Sequence, residues 1–474
     1  MGGSGSTIAY RAGRAGTVAA LLLALANAAP AAEAPPLAIL DARIVDVVRG
    51  RASPPRTVLI VSGRITAIGA TAALGIPRHA TRVDARGRYL VPGLVDMHVH
   101  LFNIPSGRAP SDWALPLFVG NGVTSVREMA ANEASLDVVR RWREETAQGT
   151  RIAPRIVAVG IPVRGEDADG IVDAVRSARA AGADFVKVFS QFPGPRFAAT
   201  VAAARAQGLP VDGHAPADLR AVDAATAGLR INEHLMQLYE ACSPLEPSML
   251  AERAAAGAGA AEVRDRQESR ILAHYDAAAC RETARAIART GQPQVPTLVL
   301  LRPNRGASAA HYRSDPHWPL LRGDEQLRWA RIIDAGAPVD ANAYLRHWQV
   351  ARRIVGALHA AGVPILAGTD APMPLVYPGY SLHDELELLV ESGLSPADAL
   401  RAATIGPSRV LGLEAEQGTV SVGKRADLVL LDADPLEDIE HTRRIHAVVL
   451  DGRLLPREQL DALLATGPRA SAGD

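Results

Sequence analysis

The sequence predicts an α/β protein, a (β/α)8 TIM barrel with a small β-sandwich domain built from both chain termini. Two observations carry that prediction. Residues 92–412 alternate short apolar strands with amphipathic or Ala-rich helical stretches, the rhythm of a closed parallel sheet. Residues 34–91 and 413–465 are both strand-rich, although the whole central region separates them. Length permits this organisation, since 474 residues suffice for one large domain and a smaller one. Composition is that of an ordinary globular protein, with 48% hydrophobic and 22% charged residues. Lys plus Arg equal Asp plus Glu at 51 each, so no basic surplus exists to neutralise phosphates, and no nucleic-acid partner is predicted.

Residues 1–33 have the pattern of a signal peptide. Arg11 and Arg14 precede an apolar run over 15–26, and A-x-A sites follow at Ala26-Asn-Ala28 and Ala29-Pro-Ala31. Pro30 ends the run too early for comfortable passage through a bilayer. The prediction is an exported, periplasmic protein with no membrane association after cleavage; the alternative is an uncleaved N-terminal anchor. Cys242 and Cys280 are too few for a disulfide framework, but they could pair with each other in an oxidising compartment.

The first part of the β-sandwich (34–91) holds apolar strands at 37–40, 43–48, 57–61 and 65–68, with Ser62-Gly63-Arg64 as a turn. The second part (413–465) repeats the idiom at 418–423, 426–432 and 445–450, closing on the turn signal Asp451-Gly452, and 466–474 reads as a flexible tail. Within or entering the barrel (92–412), strands are expected near 90–100, 123–126, 155–159, 185–189, 210–214, 229–234, 295–301 and 363–370. Ser381 and Ser395 open two capped helices, the second with Pro396 at its first position. The segment 242–353 breaks the rhythm. It reads as an insertion over the barrel mouth, either a substrate lid or a solvated decoration.

Chemistry concentrates at predicted strand ends. Leu90-Val-Pro-Gly-Leu-Val-Asp-Met-His-Val-His100 closes on two histidines one residue apart, so His98 and His100 share a strand face. Lys187 interrupts an apolar strand, where a free ammonium is expensive to bury. His214, His234 and Asp370 end three later strands. Imidazoles and a carboxylate converging on one barrel mouth are a metal-ligand set.

These motifs, with Gly368-Thr-Asp370 and the closing Gly-Lys-Arg-Ala-Asp-Leu-Val-Leu-Leu-Asp432, resemble the metal-dependent amidohydrolase superfamily. The resemblance covers nearly all of the chain after residue 33. It is nearest to imidazolonepropionase-like, prolidase-like and ochratoxinase-like amidohydrolases. It implies two divalent ions, with zinc the first expectation. His98, His100 and Asp370 would hold the more buried ion and His214 and His234 the more exposed one. Lys187 would be carboxylated and bridge them. The implied reaction is cleavage of an amide or peptide C–N bond in a small molecule, a dipeptide or N-acyl amino acid. A metal-bound hydroxide would attack, and Asp370 would serve as proton carrier.

Tyr239, five residues after His234, is a candidate oxyanion donor, and His383 a candidate substrate contact. Arg127 could meet a substrate carboxylate or pair within the core. This chain has Val-Arg-Glu-Met where relatives often show Val-Arg-Asp-x-Gly. The alternatives are a mononuclear cyclic-amide hydrolase or deaminase, and a catalytically silent barrel acting as a binding or scaffold protein. A homo-oligomer is compatible with the sequence.

Overall fold

The computed structural model describes residues 35–102, 110–165, 167–301, 311–335 and 341–466. The predicted signal peptide, and all but the first residue of the predicted tail, lie outside the described residues.

Strands from both chain ends share one sheet. β1 (Leu37–Asp46), β2 (Arg51–Val61), β3 (Arg64–Gly69), β4 (Thr81–Asp84) and β5 (Tyr89–Pro92) come from the N-terminal segment. β5 pairs in parallel with β1 on one side. On its other side it pairs antiparallel with a strand that lies over 300 residues further along the chain, Leu428–Leu431, in the register Leu430↔Leu90. Because β5 is bonded along both edges, all these strands join one eight-stranded sheet, where the sequence predicts a sandwich. Alternation gives it two apolar faces. Leu90, Leu428, Leu430 and Val449 pack in the sheet's own cluster, while Val91, Val429, Leu431 and Val448 join the main core of the chain.

The barrel follows. β6 (Leu94–Val99), β7 (Val123–Glu128), β8 (Arg155–Pro162), β9 (Phe185–Val188), β10 (Val211–Gly213), β11 (Leu229–Glu233) and β12 (Gln294–Val295) pair in parallel in chain order. β6, β7 and β9 are buried at every position, as expected of strands covered on both faces. Helices such as Ala168–Ala181 and Gly194–Ala206 cover the outside, packing Val175, Phe197 and Ala204 onto β9 and β10.

The predicted eighth strand is a bridging segment. Leu366 N–H donates to Gln294 and Met97 N–H to Ala367, and Val99 bridges Ala371, so 365–371 joins both edges of the seven-stranded sheet. Pro364 cannot extend a ladder, since it has no N–H. Gly368 permits the close fit: a Cβ there would stand 2.6 Å from Val295 Cγ1 and 2.9 Å from His98 Cβ. The strand predicted over 295–301 is also shorter. Pro296 ends it, Thr297 takes φ +48°, and Leu298–Leu301 form a 3-10 turn. The segment 242–353 contributes helices at Glu246–Ala256, Ala260–Ala273, Gly323–Ala335 and Ala341–Ala360.

Candidate metal centre

The six predicted ligands are neighbours at the C-terminal ends of the barrel strands. His98 is the last-but-one residue of β6 and is fully buried; His100 follows the strand and is half-buried. Asp370 Oδ1 lies 3.2 Å from His98 Nε2 and 2.9 Å from His100 Nε2. One ligand atom each from His98, His100 and Asp370 can be chosen so that all three lie within 4.8 Å of one another. Lys187, buried in β9, places Nζ 3.5 Å from His98 Nε2. The His234 ring is 4.5 Å from that of His98, and the His214 ring 4.9 Å from that of His234.

Local backbone chemistry aims these side chains. Gly213, at φ +129°, turns the chain out of β10 where a Cβ would meet Val188 O at 2.2 Å, and His214 follows. His234 (φ +57°) and Asp370 (φ +70°) sit in the left-handed region, a conformation that costs non-glycine residues energy and concentrates at functional sites.

Two hydrogen bonds set ring tautomers. Thr297 Oγ1 has one proton, which it donates to the Pro296 carbonyl at 2.8 Å; toward His234 Nδ1, at 2.7 Å, it must therefore accept. His98 Nδ1 lies 2.8 Å from Glu233 Oε2. Burial works to raise Glu233, but the charge of Arg127, then that of His98, overrides it and holds the carboxyl at about 2. Glu233 is thus ionised and can only accept. Both rings therefore direct Nδ1–H to an oxygen acceptor and turn Nε2 toward the cluster.

Electrostatics favour the ligating forms. Burial above all, with neighbouring positive groups, lowers His214 well below the usual imidazole range and takes His234 to about 3, so both are neutral. His214 Nε2 is buried without a hydrogen-bond partner among the described residues. Desolvation raises Asp370, yet hydrogen bonding and charge from His100 and His98 outweigh it and keep the carboxylate well below its ordinary range. Burial pulls the Lys187 ammonium down to about 8.

Beneath the cluster is a buried charged floor. Arg127 bonds Glu233, donates to Met97 O at 2.9 Å, and lies 3.3 Å from Asp212, which also pairs with Arg230. Arg127 therefore pairs within the core and is not a substrate contact. Asp96 accepts from the N–H groups of His98 and Thr369 and from Thr369 Oγ1, tying β6 to the Asp370 segment; burial pushes it up to about 7. Glu128 accepts from Leu101 and Ala130 N–H and is likewise raised by burial to about 7.

Of the two outer candidates, Tyr239 lines a cavity of about 260 Å³ together with His234 and Thr297, with its hydroxyl buried and without a partner among the described residues. His383 does not face that cavity. It is buried in the helix Tyr380–Glu391, with Nδ1 on Thr442 Oγ1 (2.9 Å) and Nε2 on the Asn121 carbonyl (3.0 Å), so both nitrogens serve packing. Glu233 and Thr297 were not singled out from sequence. A carboxylate just before His234 in an apolar strand was a usable signal for Glu233; Thr297 offered none.

A parallel barrel gathering histidines, a buried lysine and an aspartate at its strand ends defines a barrel protein with a ligand set of the metal-holding type. A family model described as "Amidohydrolase family" matches residues 89–455, and the chain belongs to that family. The chain is 27% identical to a dihydroorotase of Anaeromyxobacter dehalogenans over 84% of its length and 88% of the relative's. It is 41% identical to an imidazolonepropionase of Rubrobacter xylanophilus over 21% of this chain; the match spans only 25% of that relative's length. A 30% match to an adenine deaminase of Rhizobium meliloti spans 35% of that protein. Among solved structures, a bottromycin amidohydrolase superposes with TM-score 0.66 at 24% identity, covering 94% of this chain and 92% of the other. A Xaa-Pro dipeptidase with bound methionine gives TM-score 0.60 at 20% identity, covering 89% and 100%. At these identities the structural likeness speaks for the fold.

Proposed function

We propose that the chain is a metal-dependent hydrolase of an amide or peptide C–N bond in a small molecule, a dipeptide or N-acyl amino acid. The observation that carries this reading is the donor cluster of His98, His100 and Asp370 against Lys187, with neutral His234 and His214 alongside. The donors suit divalent ions of the zinc type: imidazoles that turn Nε2 toward one another and an ionised carboxylate. His98, His100 and Asp370 would hold one ion and His214 and His234 a second, with carboxylated Lys187 between them. Carboxylation needs the neutral amine, and the lowered Lys187 supports it. Bound divalent ions supply an acidified water and polarise a carbonyl.

The protein's own groups do the rest. Asp370, kept ionised, accepts a proton from the attacking water and returns it to the departing amine nitrogen. Tyr239 offers its unpartnered hydroxyl to the carbonyl oxygen as negative charge develops there. Glu233 and Thr297 hold the His98 and His234 rings in their donating tautomers. Export to an oxidising compartment forms part of the proposal, and the Cys242–Cys280 disulfide supports it.

A mononuclear reading has one observation in its favour, since only His98, His100 and Asp370 form a ligand group within 4.8 Å among the described residues. Hydrolysis of dipeptides and N-acyl amino acids, read by mass spectrometry on wild type and Asp370→Asn, tests the reaction. Turnover lost by at least about 10²-fold in a folded Asp370→Asn protein is expected. Equal turnover in both refutes the role. Metal analysis decides the ion count: about two equivalents per chain for the main reading, one for the alternative.

A further inference from the structure

The cavity beside His234 is walled largely by the segment that interrupts the barrel rhythm. Ile271 and Leu272 come from the helix Ala260–Ala273, and His347 from the helix Ala341–Ala360. Pro296, Leu300 and Leu301 come from the turn after β12, and Met236 from the loop after β11. The segment 242–353 is therefore part of the wall of a pocket that reaches the candidate centre through His234 and Thr297.

The charge balance of that wall is informative. Glu268 pairs with His347 at 2.8 Å, Arg264 with Asp265 at 2.8 Å, and Glu240 with the buried Arg253 at 2.8 Å. Each carboxylate and guanidinium on the described lining already has a hydrogen-bonded side-chain partner, so a charged ligand group entering here would lose its hydration without gaining an unused partner. Between these pairs the surface is aliphatic. The Tyr239 hydroxyl is buried beside this wall without a hydrogen-bond partner among the described residues, on a ring held edge-on to His347 at 4.8 Å.

We infer that this cavity is the specificity pocket, and that it takes an uncharged apolar group of leucine or phenylalanine size flanking the scissile amide. The occupant lies against Ile271, Leu272, Leu300 and Leu301, and its carbonyl oxygen accepts from Tyr239. This rests on the amide-hydrolase reading and narrows its substrate class. The pocket discriminates by burial on one side and by unpaid desolvation of charge on the other. Selectivity for phenylalanyl over glycyl and glutamyl analogues is set at roughly 10²-fold in kcat/KM.

The test uses the full chain loaded with zinc and two substrate series. One varies the acyl group on alanine (acetyl, hexanoyl, phenylacetyl, succinyl), and the other varies the amino acid of N-acetyl compounds (Gly, Leu, Phe, Glu). The expected result is a roughly 10²-fold apolar preference in one series. Leu272→Arg, which brings a cation to the rim of the apolar wall, should cut that preference at least 10-fold and raise the acidic member. Circular dichroism establishes that the variant is folded, and Leu301→Lys provides a second chance if it is not. Turnover without apolar preference in either series overturns the pocket while leaving the hydrolase reading intact.

A binding arm needs no turnover. Calorimetry with 4-phenylbutan-2-one, apolar with one carbonyl acceptor and no hydrolysable bond, should show binding that weakens about 5- to 10-fold in Tyr239→Phe and is lost in Leu272→Arg. Binding without hydrolysis of any series member by the loaded enzyme would sustain the pocket and sink the hydrolase reading. Binding unchanged in both variants would sink the pocket.

Discussion

Thr297→Val removes the acceptor of His234 Nδ1–H at the centre, together with the Oγ1–H bond to the Pro296 carbonyl. Valine has the same branched shape as threonine, so the positive-φ strain at this position is retained and the only loss is the oxygen. His234 Nδ1–H then has no acceptor at 2.7 Å. Leaving a buried donor unsatisfied costs about 1–3 kcal/mol. The metal-free ring can escape that cost by moving its proton to Nε2, the nitrogen that has to be bare to ligate. A bound ion must displace that proton, so the penalty reappears as weaker binding. The two routes agree in size, because loss of such a ligand-orienting partner weakens metal affinity about 10- to 100-fold, or about 1.4–2.8 kcal/mol. Zinc titration of chelator-stripped protein by calorimetry measures it. Thr297→Ser, which restores the oxygen, should recover wild-type affinity. Valine binding zinc within 2-fold of wild type, or serine falling as far as valine, would refute the orienting role.

Three further outcomes follow from the buried groups. Arg127→Met leaves Glu233 and Asp212 short of a buried counter-charge, so urea unfolding at pH 7 should show about 3–5 kcal/mol lost; a loss below 1 kcal/mol would contradict it. Burial raises Glu385 to about 8 from 4.5, so the folded chain binds more protons than the unfolded one between those values. Stability contributed by this group therefore falls as pH rises from about 5 to 8, by at most about 1.4 kcal/mol per unit. Glu385→Gln should flatten that part of a Tm-against-pH curve, and an unchanged slope counts against it. Cys242→Ser opens a disulfide spanning 38 residues, and the metal-free protein should lose stability on the order of 4 kcal/mol, equal to the loss on reduction of wild type.

Much of the centre was legible because strand geometry is regular. His98 and His100 share a face by alternation, and a polar residue closing an apolar run marks the mouth of a barrel whichever helices surround it. The supporting residues obey no such local rule. Glu233 meets His98 across the barrel, 135 positions away, and Thr297 reaches His234 only because the chain leaves β12 at positive φ after Pro296. The surroundings of His383 are set by long-range contacts too. Its place just past the last barrel strand is compatible with facing substrate or with merely sitting in a helix's first turn, and Thr442, from the C-terminal segment, and the Asn121 carbonyl claim its ring. The same long-range pairing made the terminal sheet continuous through β5, which no pattern within 34–91 could reveal.

The charged floor bears on how many ions the centre can hold. Arg127 and Arg230 offset Glu233 and Asp212, so these four add no net charge to the cluster above them, while Asp96 and Glu128, both raised by burial to about 7, are held largely uncharged below that pH. Below about pH 7, where Asp96 and Glu128 are largely protonated, what remains close to the cluster is Asp370 and Lys187. As an ammonium, Lys187 balances Asp370 and places a cation 3.5 Å from His98 Nε2, which opposes any divalent ion at the His98–His100–Asp370 group. As a neutral amine it withdraws that opposition, and one ion is accommodated against a single carboxylate. As a carbamate it reverses sign, and the cluster presents two anions with imidazoles on both sides, matched to two ions. The mononuclear and binuclear readings are thus two states of one side chain, and burial of Lys187 on β9 favours leaving the ammonium state.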